Sequence, residues 1–268
     1  MILLTNDDGP GSVGLEVARR YLSRVDEVFV VVPAREQSCV GKAITARGVG
    51  RVARAEAADG TPLVLVDGTP ADAVLIALNK LLKRRPRLVV SGINLGPNLG
   101  LEDLLDSGTL GAAIEAALRG VPSVAVSYCI ERGDGAEVAE GELEEAGELL
   151  RRVAELIVKG GMPRGLSLLS INVPRGFKLG SSPVALTRLS TKPRRDVHVE
   201  ADGGYAVGRW GLDVYPRDRE GTDVEAVRRG ALSITPISLA PLRLRAAEER
   251  IKALADAINK VVGGRRAQ

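Results

Sequence analysis

Two adjacent carboxylates, Asp7 and Asp8, follow a short apolar run from Ile2 to Leu4. Apolar residues at helical spacing resume near Val13. The pair therefore falls at the carboxyl end of a first strand, where open parallel sheets bind their ligands. Two like charges side by side are costly without a cation between them, and a divalent metal relieves that cost. Helix capping is the plainer explanation, since Asp is a good N-cap, but a cap uses only one Asp.

Other polar residues are predicted at the same sheet edge. The stretch Glu36 to Lys42 follows the second strand and puts the Ser38 hydroxyl there, although an ordinary turn serine explains it as well. Ser91-Gly92-Ile93-Asn94-Leu95-Gly96-Pro97-Asn98 follows a central strand. Asn tolerates left-handed turns, which accounts for one asparagine. Two of them beside an Asp pair suggest polar ligands for a metal or a substrate. Asp106-Ser107-Gly108-Thr109 opens a helix. Its N–H groups and dipole make an anion site, or Ser107 simply caps it.

Several chemistries are set aside. The single histidine, His198, lies in a polar stretch, so a His-rich metal site is excluded. Nothing near it resembles the nucleophile elbow that a Ser-His-Asp triad would need. Gly9-Pro10-Gly11-Ser12-Val13-Gly14 matches the dinucleotide-binding glycine pattern. Asp7 and Asp8 would, however, meet a pyrophosphate with two negative charges, so these read as turn glycines. Lys42 after Gly41 is no phosphate-loop lysine, because Glu36 stands where the earlier glycine is required.

The elements that must position these residues alternate. Strands are predicted at Val28 to Val32, Leu63 to Val66, Leu88 to Val90, Pro122 to Ser127 and Leu168 to Val173. Helices are predicted at Ala71 to Leu82, Gly108 to Leu118 and Gly135 to Val158, the first opened by Thr69 as N-cap and Pro70. This alternation implies a parallel α/β sheet. After Pro174 the pattern changes to short strands at Val184 to Leu189, Gly204 to Val207 and Ala231 to Ile234, then a terminal helix over Pro241 to Val262. Two regions are expected, a core over 1–174 and a C-terminal extension over 175–268. Hydrophobic residues make up 45% of the 268, which is ample for a core, but aromatics are only 3%. That core must be built from Val, Leu, Ile and Ala. A net charge of +3 without a basic block gives no reason to expect a nucleic-acid polymer as partner. Two cysteines cannot form a disulfide framework, and no apolar run is long enough to span a membrane. With no secretory signal pattern, a cytoplasmic location and no membrane partner are expected.

Thr5-Asn6-Asp7-Asp8-Gly9, the Ser38 loop, Gly68-Thr69-Pro70-Ala71-Asp72, Ser91-Gly92-Ile93-Asn94 with Asn98, and Ser107-Gly108-Thr109-Leu110-Gly111 occur in that order. Together they resemble the signature set of the survival protein E (SurE) family of metal-dependent nucleotide phosphatases. Ser170-Ile171-Asn172-Val173-Pro174, Gly221-Thr222-Asp223 and Ser233-Ile234-Thr235-Pro236 extend the resemblance into the last third. It implies a Rossmann-like α/β fold, a mostly parallel sheet flanked by helices, with a β-rich extension that pairs between subunits into homodimers or homotetramers. It implies release of phosphate from nucleoside monophosphates, as a 5'/3'-nucleotidase, with one Mg2+ or Mn2+ per subunit, and leaves acid phosphatase or exopolyphosphatase activity open beside it. By the same resemblance, Asp7, Asp8, Ser38 and Asn94 would be metal ligands. Asn98, Ser107, Gly108 and Thr109 would hold the phosphate, and Asp7 or Asp8 would orient or deprotonate the attacking water or form an aspartyl-phosphate.

All four implied ligands offer oxygen, as hard cations prefer. The chain departs from the family pattern at Asp106, where Tyr is frequent, at Cys39 after Ser38, and at Arg87 before the strand. Two competing readings remain. The haloacid-dehalogenase phosphatases use an early D-x-D pair, whereas these carboxylates are adjacent. A non-catalytic nucleotide- or polyphosphate-binding stress protein would keep the anion site without needing paired carboxylates.

Overall fold

The alternation read from the sequence is the architecture. A computed structural model describes residues 1–47, 50–57, 59–130, 138–208 and 211–239. In chain order these form β1 (Ile2–Thr5), α1 (Val13–Leu22), β2 (Val28–Pro33), β3 (Val52–Glu56), β4 (Pro62–Val66), α2 (Pro70–Ile76), β5 (Leu88–Leu95), α3 (Gly100–Asp106) and α4 (Gly108–Leu118). There follow β6 (Ser123–Cys129), α5 (Glu144–Gly160), β7 (Leu168–Pro174), β8 (Val184–Leu186), β9 (His198–Ala201), β10 (Gly204–Val207), α6 (Asp223–Arg228) and β11 (Leu232–Ile237).

Nine strands make one sheet in the order β3-β4-β2-β1-β5-β6-β7-β11-β8. From β4 across to β7 every neighbouring pair is parallel. β3 runs antiparallel to β4, and β11 antiparallel to β7. The chain leaves β1 for β2 on one side and later returns to β5 on the other. The connections leaving β1 and β5 diverge, which opens a crevice at their carboxyl ends.

β1 is buried on both faces, as a central parallel strand must be. Ile2 and Leu4 pack with α1 and α5, while Leu3 packs on the opposite face with α2 and α4. Helix α1 is capped by Ser12, whose hydroxyl accepts from the Leu15 N–H at 3.4 Å. The capping explanation for the Asp pair is thereby removed. Thr69 and Asp72 form the expected start of α2, each side chain bonding the other's backbone N–H.

Several boundaries differ from expectation: α2 gives way after Ile76 to a π-helical turn over Ala77–Leu81, β8 stops at Leu186, and three others bear on the frame of the site. β5 was expected to end at Val90 but runs to Leu95, because a register shift against β6 between Ser91 and Asn94 lets the chain stay paired. Gly92 permits this with φ at 128°, where a Cβ would stand 2.3 Å from Val126 O. Asn94 is thus a residue of the strand and not of a loop. α5 starts at Glu144, after a short 3-10 turn at Glu140–Leu143, and the first expected positions, 135–137, lie outside the described residues. The third concerns Pro174: Met1 to Ser238 form one compact unit that runs through it. β8 and β11 belong to the main sheet, because β11 folds back antiparallel onto β7. The expected terminal helix lies outside the described residues.

Candidate active site

Asn6 shapes the turn that carries the two carboxylates. Its Nδ2 donates to Gly9 O at 2.8 Å, and the Gly9 N–H donates to Asn6 Oδ1 at 3.2 Å. The amide brackets Asp7 and Asp8 from beneath the sheet edge, where Asn6 is fully buried. Asp7 is also buried, and Asp8 half-buried. Asp7 Oδ1 accepts from Thr109 Oγ1 at 2.6 Å, and Asp7 O accepts from the Gln37 N–H at 2.8 Å. The turn after β1 is therefore tied both to α4 and to the Ser38 loop.

Helix α4 comes this close because residue 108 has no side chain. A Cβ on Gly108 would stand 2.8 Å from Asp7 Cβ, and one on Gly111 would stand 2.2 Å from Gly41 O. The Ser38 loop rests on the same helix. The Gly41 N–H donates to Asp106 O at 2.6 Å, and Lys42 Nζ lies 2.6 Å from Glu115 Oε2. Burial pushes the Glu115 carboxyl up, but Lys42 and Arg119 outweigh it and hold the pKa below the usual range. Within the loop, Ser38 Oγ donates to Glu36 Oε1 at 2.7 Å.

Among the described residues only Cys39 combines a side chain with a positive φ, at 55°. Neither Asn94 nor Asn98 is there to make a left-handed turn. Asn94 Nδ2 donates to Gly96 O at 2.9 Å, which fixes the orientation of its amide. Asn98 is held through its backbone by Asn172 on β7. Its N–H donates to Asn172 Oδ1 at 3.0 Å, and its carbonyl accepts from Asn172 Nδ2 at 2.9 Å. Asn98 Nδ2 then donates to Ser127 Oγ at 2.8 Å and to Thr109 Oγ1 at 3.4 Å. A chain of polar contacts thus runs from β7 through Asn98 and Thr109 to Asp7. Ser107 Oγ accepts from the Leu110 N–H at 3.2 Å, so this side chain does cap α4.

A cleft of about 400 Å³ opens over these groups, within the usual small-molecule range of ~300–1,000 Å³. Of the residues expected from sequence, Asp7, Ser38, Asn94, Asn98 and Ser107 line it. Gly108 and Thr109 are packed beneath Asp7, and the Thr109 hydroxyl is engaged by that carboxylate. Asp8 is in the adjoining turn. Glu36, Asp103, Asp106 and Arg194 also line the cleft. Arg194 is held by Asp103 Oδ1 and Asp106 Oδ2, with its Nε 3.3 Å from Glu102 Oε2. Burial raises the Asp103 carboxyl to about 7, against the pull of Tyr215, Arg194 and the Leu99 N–H. Tyr215 OH and the Leu99 N–H each donate to Asp103 Oδ2 at 2.6 Å.

Among the described residues no three His, Cys, Asp or Glu side chains are grouped to hold a metal ion. Two carboxylates completed by the Ser38 hydroxyl and the Asn94 amide could do so. Such a set offers only oxygens and is the chemistry of Mg2+ or Mn2+.

The profile of Survival protein SurE matches residues 2–196. The chain belongs to the SurE family. A 5'-nucleotidase SurE from Methanothermobacter thermautotrophicus is 42% identical over 203 residues, spanning 74% of this chain and 76% of its own. One of the same name from Archaeoglobus fulgidus is 39% identical over 241 residues, 89% of this chain and 91% of its own. The crystal structure of the SurE protein from Aquifex aeolicus superposes with a TM-score of 0.74 at 31% identity, over 95% of this chain and 99% of that one. The Rossmann-like α/β fold expected of a SurE protein is present. No described helix is long and apolar enough to cross a membrane.

Proposed function

We propose that this chain is a metal-dependent phosphatase of the 5'-nucleotidase type, releasing phosphate from nucleoside monophosphates. Relatives named 5'-nucleotidase SurE align over most of its length. The observation that carries the reading is the Thr109–Asp7 hydrogen bond. It joins a carboxylate at the end of β1 to the first turn of α4, so a cation site and an anion site share one wall.

In this reading Asp7, Asp8, Ser38 and Asn94 hold one Mg2+ or Mn2+. When bound, the cation supplies Lewis-acid charge at the phosphoryl group. Asn98 and Ser107 hold the phosphate with the first-turn N–H groups of Gly108 and Thr109, where the helix dipole favours an anion. The Thr109 hydroxyl orients Asp7. With Asp7 Oδ1 fixed in this way, we assign Asp8 the attacking water, to orient it or take its proton. An aspartyl-phosphate on either carboxylate is the second route, and rapid-quench trapping separates the two.

We also propose a cytoplasmic homo-oligomer, dimer or tetramer. The β9–β10 hairpin exposes Val199, Tyr205 and Val207, an apolar surface suited to pairing between copies. An unchanged monomeric mass across a concentration series would remove that part.

The deciding experiment is phosphate release from a panel of nucleoside monophosphates, first in EDTA and then with added Mg2+ or Mn2+. Metal-restored release supports the assignment. Binding of nucleotide with no turnover under any metal would replace it with the non-catalytic binding protein.

A further inference from the structure

Arg194 is the only basic residue among the described residues lining the cleft. A lone cation beside a phosphate site would ordinarily be read as a phosphate ligand. Its surroundings argue otherwise. Asp103 and Asp106, both on α3, take its two terminal nitrogens, and the Arg194 main-chain N–H donates to Glu102 Oε2 at 2.5 Å. The Arg194 side chain is 15% exposed, whereas Asp106 is 38% exposed. The charge of the guanidinium is compensated in place, and the more accessible member of the pair is the carboxylate. Glu36 also lines the cleft and adds a second exposed carboxylate, bonded to Ser38.

We propose that Asp106, through its pair with Arg194, is a specificity-determining residue for whatever follows the phosphate. The proposal rests on the phosphatase reading. Asp106 immediately precedes Ser107, the cap of α4, so it stands where a substrate leaves the phosphate site. A neutral, hydroxyl-rich remainder such as a nucleoside can donate to its carboxylate. A second or third phosphate meets that negative charge and that of Glu36 in the same cleft instead, and finds the guanidinium already taken. At an effective dielectric near ~20, one such charge at contact range is worth a factor of ten or more. The pair therefore favours monophosphates over phosphate chains, including inorganic polyphosphate.

The test compares kcat/KM for adenosine 5'-monophosphate with that for inorganic tripolyphosphate. Asp106→Asn is nearly isosteric, at a cleft-lining side chain that is 38% exposed. It should raise the tripolyphosphate-to-monophosphate ratio by on the order of tenfold. The gain should shrink as ionic strength rises, and Arg194→Gln in the same background should abolish it. A purely structural role would lower both substrates in parallel and leave the ratio where it was. An unchanged ratio in Asp106→Asn overturns the proposal, as does a gain indifferent to salt. Should wild-type protein cleave the monophosphate, only this charge filter is at stake. Should it cleave neither substrate under any metal, the phosphatase reading falls and the filter with it.

Discussion

Thr109 Oγ1 donates to Asp7 Oδ1 across 102 residues of sequence, and both groups are buried. A hydroxyl that also receives Asn98 Nδ2 has its donor direction fixed. Replacement by Val keeps the shape and removes the donor. A hydrogen bond to a charged group is worth about 1.5–3 kcal/mol. Thr109→Val should therefore lower kcat/KM roughly 10- to 100-fold and weaken Mn2+ binding measured by calorimetry. Thr109→Ser should restore most of both. Equal behaviour of Val and Ser variants would show that the hydroxyl does not position Asp7.

Glu115 holds the Ser38 loop from a distance. It is 2% exposed in α4 and pairs with Lys42 and Arg119. Glu115→Gln leaves volume unchanged but removes the charge that Lys42 answers. A cost of about 1–3 kcal/mol in urea unfolding is expected. Because Lys42 follows Gly41 on the Ser38 loop, metal affinity should fall as well. Lost stability with unaltered Mn2+ affinity would mean that Ser38 is not a ligand.

Asp103 gives the fold a pH dependence of defined sign. Burial raises its pKa to about 7 in the folded protein, against an unfolded value of about 3.9. Between these values the unfolded chain has released the proton and the folded one retains it. Stability is then full below about pH 4 and declines as pH rises toward 7, levelling off above. The difference in unfolding free energy between wild type and Asp103→Asn isolates this group. It should fall from pH 4 to 7 and be flat beyond. A difference independent of pH would place the Asp103 pKa in the ordinary range.

A divalent cation that binds only the folded chain stabilises it by mass action. At one hundred times Kd, Mn2+ should add about 2.7 kcal/mol, read as a rise in Tm that EDTA reverses. Asp7→Asn should abolish the rise while leaving the metal-free Tm nearly unchanged. If it lifts or lowers the metal-free Tm strongly and retains the Mn2+ response, Asp7 is structural.

The Asp pair was legible because polarity changes abruptly after three apolar residues, and because α/β alternation fixes which end of a strand such a change marks. Ser107 and the start of α4 were legible for the same reason. Asn172 was not. It stands inside an apolar strand, and its partner Asn98 is 74 residues away, so no local pattern carries the pairing. Arg194 reads as one of several scattered basic residues, since its carboxylate partners lie 88 to 92 residues upstream. Thr109 is expected at the phosphate; that its hydroxyl also donates to Asp7, where Gly108 packs against that carboxylate, is not carried by any local pattern. The end of β5 was missed because a register shift is set by the neighbouring strand, which local propensity does not encode.

The Asn98–Asn172 clasp has a consequence for biosynthesis. A chain emerging from the ribosome displays both aspartates from the outset, and Ser107 and Ser127 long before β7. Until residue 172 is released and β7 docks beside β6, the main-chain groups of Asn98 lack their partner amide. The half-made protein already carries Asp7, Asp8, Ser38 and Asn94, but Asn98 is not yet clasped. On the proposed phosphatase reading, a chain truncated before Asn172 should therefore release no phosphate.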